Sequence, residues 1–406
     1  MEHLQNALVN RLVNHAYSCS PFYRSVMDNS GLTPEDIKCK DDLRKLPILT
    51  KSIMREHLDT IKTSGRFGKR LVKDTSSGST GNQAILYKSP YYRYMSNAAL
   101  LRCFYMTGWD RYDKSVWLWN NIYEEKKLHE KIAAKTGTII NRIMVIDTVT
   151  RQENSFYRYA KKIDRFAPGV IFGNARIILE FAKFMLDNSI LFPSIRLVVT
   201  SVEQLDGRHL IAKAFNSPVF DLYSSRECYG IAVEIQQGIF ATADDHVAIN
   251  IYENNKVILT ALHSYGFPLI NYQIGDKAES LDTSQTLAPI ISSLPFNTIS
   301  LKIGRISEDF ITKDGTRICA SALMTNIASL ELNAAEQQIV QTGYTDFTVN
   351  YVPCTDINPE YEKIVLNILR KFTCNNCSVI FKKVNEIPPE KSGKKLLCKR
   401  TFDLEK

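Results

Sequence analysis

Residues 74–83 read Asp74-Thr75-Ser76-Ser77-Gly78-Ser79-Thr80-Gly81-Asn82-Gln83, a run of small hydroxyl side chains and glycines between two β-like stretches. Glycine lets the main chain come close to a ligand, and Ser and Thr hydroxyls donate hydrogen bonds. Such a loop can offer main-chain N–H groups and hydroxyls to a chain of phosphates. A plain surface loop is the other reading of these residues taken alone. A Walker A loop needs GxxxxGK[ST], but Asn82 rather than Lys follows Gly81, which argues against a P-loop kinase or ATPase.

Outward from this run, the chain alternates. The segments VWLWNNIY, GVIFG, IRLVVTS, VFDLY, VAINIY and KVILTAL read as strands, with helical stretches such as ARIILEFAKFMLDN between some of them. Alternation of this kind predicts an α/β fold with large mixed sheets. DDHVAINIYENNKVILTAL predicts a hairpin turning at Asn254-Asn255. Residues 1–60 read as helical, with Leu4, Leu8, Leu12, His15 and Ala16 at helical spacing, Ser20-Pro21 as a stop, and Thr50 as the cap of KSIMREHL. Beyond about residue 312 the texture becomes a smaller α+β pattern. ASALMTNIASLELN is a helix candidate, IVQTGYTDFTVNYVP a hairpin, PEYEKIVLNILRKF an amphipathic helix and CSVIFKKV a strand.

The 406 residues are 44% hydrophobic and 23% charged, an ordinary globular composition, and the length predicts two domains. The formal charge of +8 suits polyanionic substrates. No nucleic-acid-binding module accompanies it, so no nucleic-acid partner is expected. The polar first twenty residues carry no signal-peptide core, and no apolar run is long enough to span a membrane. With nine cysteines in no disulfide-framework spacing, the expected compartment is the reducing cytoplasm. Cys374 and Cys377 form a CxxC with no second metal-ligand pair, so they read as ordinary cysteines.

The run TSSGSTGNQ resembles the phosphate-binding loop of the acyl-adenylating superfamily, and SPFYRSVM…GLTPEDIKCKDDLRKLPILTK resembles the N-terminal region of its phenylacetate–CoA ligase branch, which includes CapK-like proteins of capsular polysaccharide loci. Further motifs follow in family order along essentially the whole chain. SIRLVVTSVEQL resembles the strand before the adenine site, with Glu203 in the acidic position. FDLYSSRECYGIAVE resembles the YGSTE-type motif, with Tyr223, Ser224, Ser225, Arg226 and Glu227. GFPLINYQIGDKAE resembles PLIRYxxGD, ending in Asp276. KIGRISEDFITKDG resembles the GRxDD hinge, and NEIPPEKSGKKLLCKR the C-terminal PRTxSGK motif.

The resemblance implies a large adenylate-forming domain at residues 1–306 and a small mobile α+β lid at 307–406. It implies ATP and Mg²⁺, with coenzyme A as the default acceptor of a small carboxylic acid. Ser76, Ser77, Gly78, Ser79, Thr80 and Gly81 would hold phosphates, with Thr80 counted among the catalytic groups. Glu203, Tyr223, Ser224 and Ser225 would line the nucleotide, and Glu227 would bind the metal, a hard ion that prefers carboxylate oxygens. Asp276 would accept the ribose hydroxyls, Arg305 would support the same ribose, and Lys394 would be the adenylation lysine. The acyl pocket would draw on Trp117 to Tyr123 and on Phe172-Gly173-Asn174.

Some positions depart from the pattern. Asn271 replaces the arginine of PLIRY, the hinge carboxylate is Glu308 or Asp309, and Phe240 stands where some relatives have a metal-binding His, which predicts no zinc and a buried, apolar role for Cys228. These departures leave the acceptor open between coenzyme A, a carrier protein and an amine. Nucleotidyl transfer that leaves AMP on its substrate, and a non-catalytic binding module, are the competing classes.

Overall fold

The computed structural model describes residues 1–75, 84–119, 142–151, 154–281, 295–303, 309–320, 323–324, 327, 330, 332, 334–354, 357–388 and 396–402. The phosphate-loop candidates 76–81, Arg305, Glu308, Lys394 and the stretch 120–123 of the expected acyl pocket lie outside the described residues. The chain forms two compact units. One comprises Met1–Thr75, Ala84–Gly108 and Phe220–Gly304; the other comprises Ser76–Gln83, Trp109–Val219 and Arg305–Lys406.

The first unit begins with a helix at Glu2–Cys19. Its buried stripe is Gln5, Val9, Leu12, Val13 and Ala16, and Leu4 is left exposed. The helix is therefore rotated from the face that Leu4, Leu8 and Leu12 suggest, because Val9 and Val13 complete a wider apolar stripe. Ser20 ends this helix and caps the next, Pro21–Asn29, accepting from the Tyr23 N–H. Thr50 Oγ1 likewise accepts from the Ile53 N–H at 3.3 Å, starting the helix Lys51–Glu56.

Strands of this unit run in the order Val247–Tyr252, Lys256–Ala261, Tyr272–Leu281, Thr298–Ile303, Ile239–Thr242, Ala232–Gln236, Val219–Tyr223. The hairpin turns where the sequence places it, with Asn254 and Asn255 at φ 59 and 61. Asparagine tolerates this left-handed region better than most residues. Val247, Leu259, Tyr272, Ile274 and Phe267 belong to the core that the helices cover.

In the second unit, Leu197–Ser201, Val170–Asn174, Ser115–Trp119 and Ile143–Asp147 pair in parallel in that order. Strands with both faces covered read as continuous apolar runs, and Val170–Asn174 and Leu197–Ser201 are buried at every position. Helices Ser155–Phe166, Ala175–Asp187 and Arg208–Phe215 pack in the same core. Residues 310–401 add a four-stranded sheet in the order Ser378–Lys383, Asp346–Pro353, Ala334–Gln341, Cys398–Arg400, with the helix Tyr361–Phe372. The hairpin, helix and strand expected there from the sequence are all present. Of the expected helix at 320–333, the described Leu323, Met324 and Ile327 are helical. Arg317–Ile318 pairs with Thr150–Arg151, so this C-terminal module and the parallel sheet share one unit.

Gly230 is a steric checkpoint in the first unit. Its φ is +64, and an added Cβ would lie 2.6 Å from the Leu100 main-chain nitrogen in the helix Pro90–Met106. Both the left-handed backbone and the contact with rigid helix backbone oppose any side chain. Gly230→Ala should therefore lower the unfolding free energy by about 3 kcal/mol, read from urea denaturation.

Candidate functional site

Two segments of the first unit carry the nucleotide-site expectations: strand Val219–Tyr223 with the turn that follows it, and strand Tyr272–Leu281. In the sheet they are separated by three strands. Across a flat sheet that is about 19 Å, further than two side chains reach. Yet the Tyr223 hydroxyl donates to Asp276 Oδ2 at 2.9 Å, and the Tyr272 hydroxyl donates to Glu227 Oε1 at 3.0 Å. The sheet must therefore curl until these ends meet. The two bonds form a crossed pair. Each segment supplies a tyrosine and, four residues later, a carboxylate that accepts from the other segment's tyrosine.

The turn itself is tightly built. Ser225 N–H donates to the Cys228 carbonyl at 3.0 Å, the Cys228 N–H donates to Ser225 Oγ at 3.1 Å, and the Gly230 N–H donates to Ser224 Oγ at 3.3 Å. Both serine hydroxyls expected near the nucleotide thus also hold the loop. Glu227 is 2% exposed, and its carbonyl accepts from the buried Tyr92 hydroxyl at 2.8 Å. Asp74 is the third residue of strand Val72–Thr75, which pairs with Ile85–Lys88. Its carboxylate accepts from Lys88 at 2.7 Å and from Arg226 at 3.2 Å. Lys88 also donates to the Arg226 carbonyl and lies over the Tyr229 ring.

Behind the turn, Cys228 is fully buried, and burial pushes its thiol up to about 12. It is more than an apolar filler, because Sγ lies 3.3 Å from His246 Nε2. Burial lowers the His246 imidazole to about 3, and its ring stacks between Tyr92 and His263. Asn271 is not simply a lost arginine. Its backbone sits at φ 54, and its side-chain amide donates to the Leu46 carbonyl at 2.8 Å while accepting from the Tyr252 hydroxyl. Phe240 is buried in strand Ile239–Thr242.

Glu203 lies in the second unit. It accepts from Asn174 Nδ2 at 3.0 Å and lies 3.6 Å from Arg176 Nε. Asn174 Oδ1 in turn caps the helix Ala175–Asp187 through the Arg176 N–H at 2.9 Å. Of the two hinge candidates, Asp309 is described. It is 7% exposed and ion-paired with both Arg151 and Arg176, and Arg151 also meets Glu180 at 3.2 Å. Removing one partner from such a buried network would strand the others. Trp117 and Phe172 occupy paired positions of neighbouring strands, and the Phe172 ring packs against both Trp117 and Trp119.

Sequence reading brought Tyr223, Glu227 and Asp276 to this site but not Tyr92, Lys88, Tyr272 or His246. No spacing rule connects Tyr92 with Glu227, 135 residues away. Tyr272 stands in a motif whose aspartate drew the attention. Among the described residues, no group of three or more His, Cys, Asp or Glu side chains is placed to hold a metal ion. Nor is any helix among them long and apolar enough to cross a membrane.

Comparison with known proteins agrees with this architecture. A family model described as the CapK C-terminal domain matches residues 310–401. Along a 415-residue alignment the chain is 26% identical to protein CapK of Staphylococcus aureus, covering 97% of this chain and 87% of that protein. It is 32% identical over 88 residues to a phenylacetate-coenzyme A ligase of Escherichia coli (strain K12), covering 21% of this chain and 20% of that ligase. Among solved structures, it is similar to a 2-hydroxyisobutyryl-CoA ligase in complex with 2-HIB-AMP and CoA, with TM-score 0.60, 15% identity and coverage of 98% and 89%. The same ligase in its postadenylation state gives TM-score 0.58 at 14% identity, with coverage of 97% and 88%. At these identities the structural likeness shows a shared overall fold with these ligases.

The His246 environment gives a pH signature. The unfolded chain takes up this proton near 6.5 and the folded chain only near 3. The unfolded state therefore binds more protons between those values, so stability is full above 6.5 and falls as pH drops below it. From pH 6.5 to about 5 this group alone should remove about 1–2 kcal/mol. Urea unfolding at the two pH values should show that loss in the wild type and a smaller one in His246→Gln.

Proposed function

We propose that this chain, similar to CapK along most of its length, is an adenylating enzyme of that kind, which uses ATP to activate a small carboxylic acid as an acyl-AMP and passes the acyl group to an acceptor. The observation that carries this reading is the crossed tyrosine–carboxylate pair, which sets Asp276 and Glu227 on one curled end of the sheet.

Asp276 accepts a hydrogen bond from the Tyr223 hydroxyl, and a carboxylate, an acceptor on both oxygens, is the side chain suited to two ribose hydroxyls. Tyr223 offers a ring for the adenine. Glu227 is the carboxylate suited to Mg²⁺. Mg²⁺ at nucleotide sites commonly takes one or two carboxylates and completes its shell with phosphate oxygens and water, so a single buried Glu fits that mode. When bound, the ion would neutralise charge building on the phosphates. The roles of 76–81, Arg305 and Lys394 follow from motif order alone. Lys394, in a Gly-containing basic segment of the proposed lid at 307–406, would bring an ammonium to the attacking carboxylate and the α-phosphate and later withdraw. Glu203, read as an adenine-side acid, would act with Arg176 as a pair.

Coenzyme A is the proposed acceptor by analogy with the ligases of the branch. The match of residues 310–401 to a CapK C-terminal domain favours a second reading, transfer to a carrier protein or a sugar amine in surface-polysaccharide synthesis. The proposed compartment is the cytoplasm.

Pyrophosphate release, screened over aryl acids, amino acids and short fatty acids with and without coenzyme A, tests the class and separates the acceptors. With a supporting acid, Lys394→Ala should cut carboxylate-dependent release about a hundredfold or more while ATP affinity stays within about threefold. Unchanged release would remove the lysine assignment, and AMP retained on the product would indicate nucleotidyl transfer.

A further inference from the structure

Helix Ser155–Phe166 buries Ser155, Tyr159, Ala160 and Ile163 in the core of the second unit. Its outward side carries Arg158, Lys161, Lys162 and Arg165, all exposed. Spacings of three and four residues place these four cations on one face of the helix, over a length of about 10 Å. Among the described residues none of the four forms an ion pair, and Arg158 donates instead to Ser155 Oγ at 2.9 Å. Lys114, which donates to the Phe166 carbonyl at 3.2 Å, extends the positive surface past the helix end.

Elsewhere in the chain exposed lysines find a carboxylate three residues earlier, as in Asp42–Lys45, Asp59–Lys62 and Glu360–Lys363. Here the order is reversed, because Asp164 follows Lys161. With the acid on the C-terminal side such a pair is the weaker arrangement on a helix. The cations are instead neighbours of one another, Arg158 with Lys161 and Lys162, and Arg165 with the same two lysines. Like charges at these spacings repel, a cost that carboxylates brought by another molecule would relieve.

Beside the stripe lies exposed apolar surface. Tyr157 is 48% exposed yet fixed in place, its hydroxyl donating to Asn188 Oδ1 at 2.6 Å and its ring meeting Phe184 edge-on at 4.6 Å. Leu191, three residues beyond Asn188, is 74% exposed. A held aromatic ring bordered by charge is the composition of a protein interface, where the ring anchors and the charges steer. We propose that this face docks a protein partner through an acidic helix, whose Asp and Glu side chains meet the four cations while an apolar side chain covers Tyr157 and Leu191. A bilayer fits less well, because the apolar side of this helix is already buried in the protein core and is not free to insert. A nucleic-acid backbone would use the cations and leave Leu191 uncovered. The docking face goes beyond the adenylating reading and needs none of its steps.

Fluorescence anisotropy tests the face, using the full-length chain and a labelled helical peptide that carries Glu at i, i+3, i+4 and i+7 beside one Leu. Lys161→Glu/Arg165→Glu should weaken binding about tenfold or more, and Tyr157→Ala about threefold or more. Lys161→Arg/Lys162→Arg keeps the charge and should bind within about twofold of the wild type. Raising salt from about 50 to about 300 mM should weaken the wild-type complex several-fold. Urea unfolding of these surface variants should match the wild type, so that lost binding reports the face and not the fold. The proposal is overturned if the wild type does not bind the peptide, or if either weakening variant binds as well as the wild type. Equal binding of a scrambled peptide of the same composition would overturn it too, since charge alone would then suffice. Tighter binding of phosphatidylglycerol vesicles or of single-stranded DNA than of the peptide would replace the protein partner with a membrane or a nucleic acid.

Discussion

The hydrogen bond from the Tyr272 hydroxyl to Glu227 Oε1, crossed by the one from Tyr223 to Asp276, joins two segments that the sheet order keeps three strands apart. Much of the first unit's geometry serves that meeting. Both tyrosines lie in the core that the N-terminal helices cover, and Asn271 ties the residue before Tyr272 to the Leu46 carbonyl. A buried carboxylate without such donors would carry an unrelieved desolvation cost. The proposed metal and ribose ligands are thus stabilised by the same bonds that orient them.

The turn between Tyr223 and Gly230 is where this packing meets the proposed chemistry. Its main chain is held by Lys88 and Tyr92 from neighbouring elements and by Ser224 and Ser225 from within. Rigid placement of charged groups costs nothing at the moment of reaction, which is how a preorganised site lowers a barrier. In the second unit an analogous economy is visible. Asn174 caps a helix with one side-chain atom and donates to Glu203 with another, while Arg176, one residue into that helix, reaches Asp309.

The fold was largely legible because its elements follow local rules. The hairpin at Asn254-Asn255, the cap at Thr50 and the apolar runs of the parallel strands each declare themselves within a few residues. The first helix was legible as a helix, and Leu12 and Ala16 of its apolar positions lie on the buried face, which Val9 and Val13 complete while Leu4 stays exposed. At the site, motif order pointed to Tyr223, Glu227 and Asp276, and the structure brings these three together. What supports them was hidden, because Tyr92, Lys88 and His246 reach the turn through tertiary contacts that leave no periodic trace. Asn271 read as a missing charge because its left-handed backbone cannot be seen in a residue name.

The central claim is that the crossed pair forms the seat of a nucleotide, and AMP affinity of Asp276→Asn measures it most directly. The asparagine keeps the shape and one acceptor but loses the charged one. Hydrogen bonds to a charged group are worth about 1.5–3 kcal/mol, so the account expects AMP to bind about tenfold or more weakly than to the wild type, with unfolding little changed. Equal AMP affinity in a well-folded Asp276→Asn protein would contradict it.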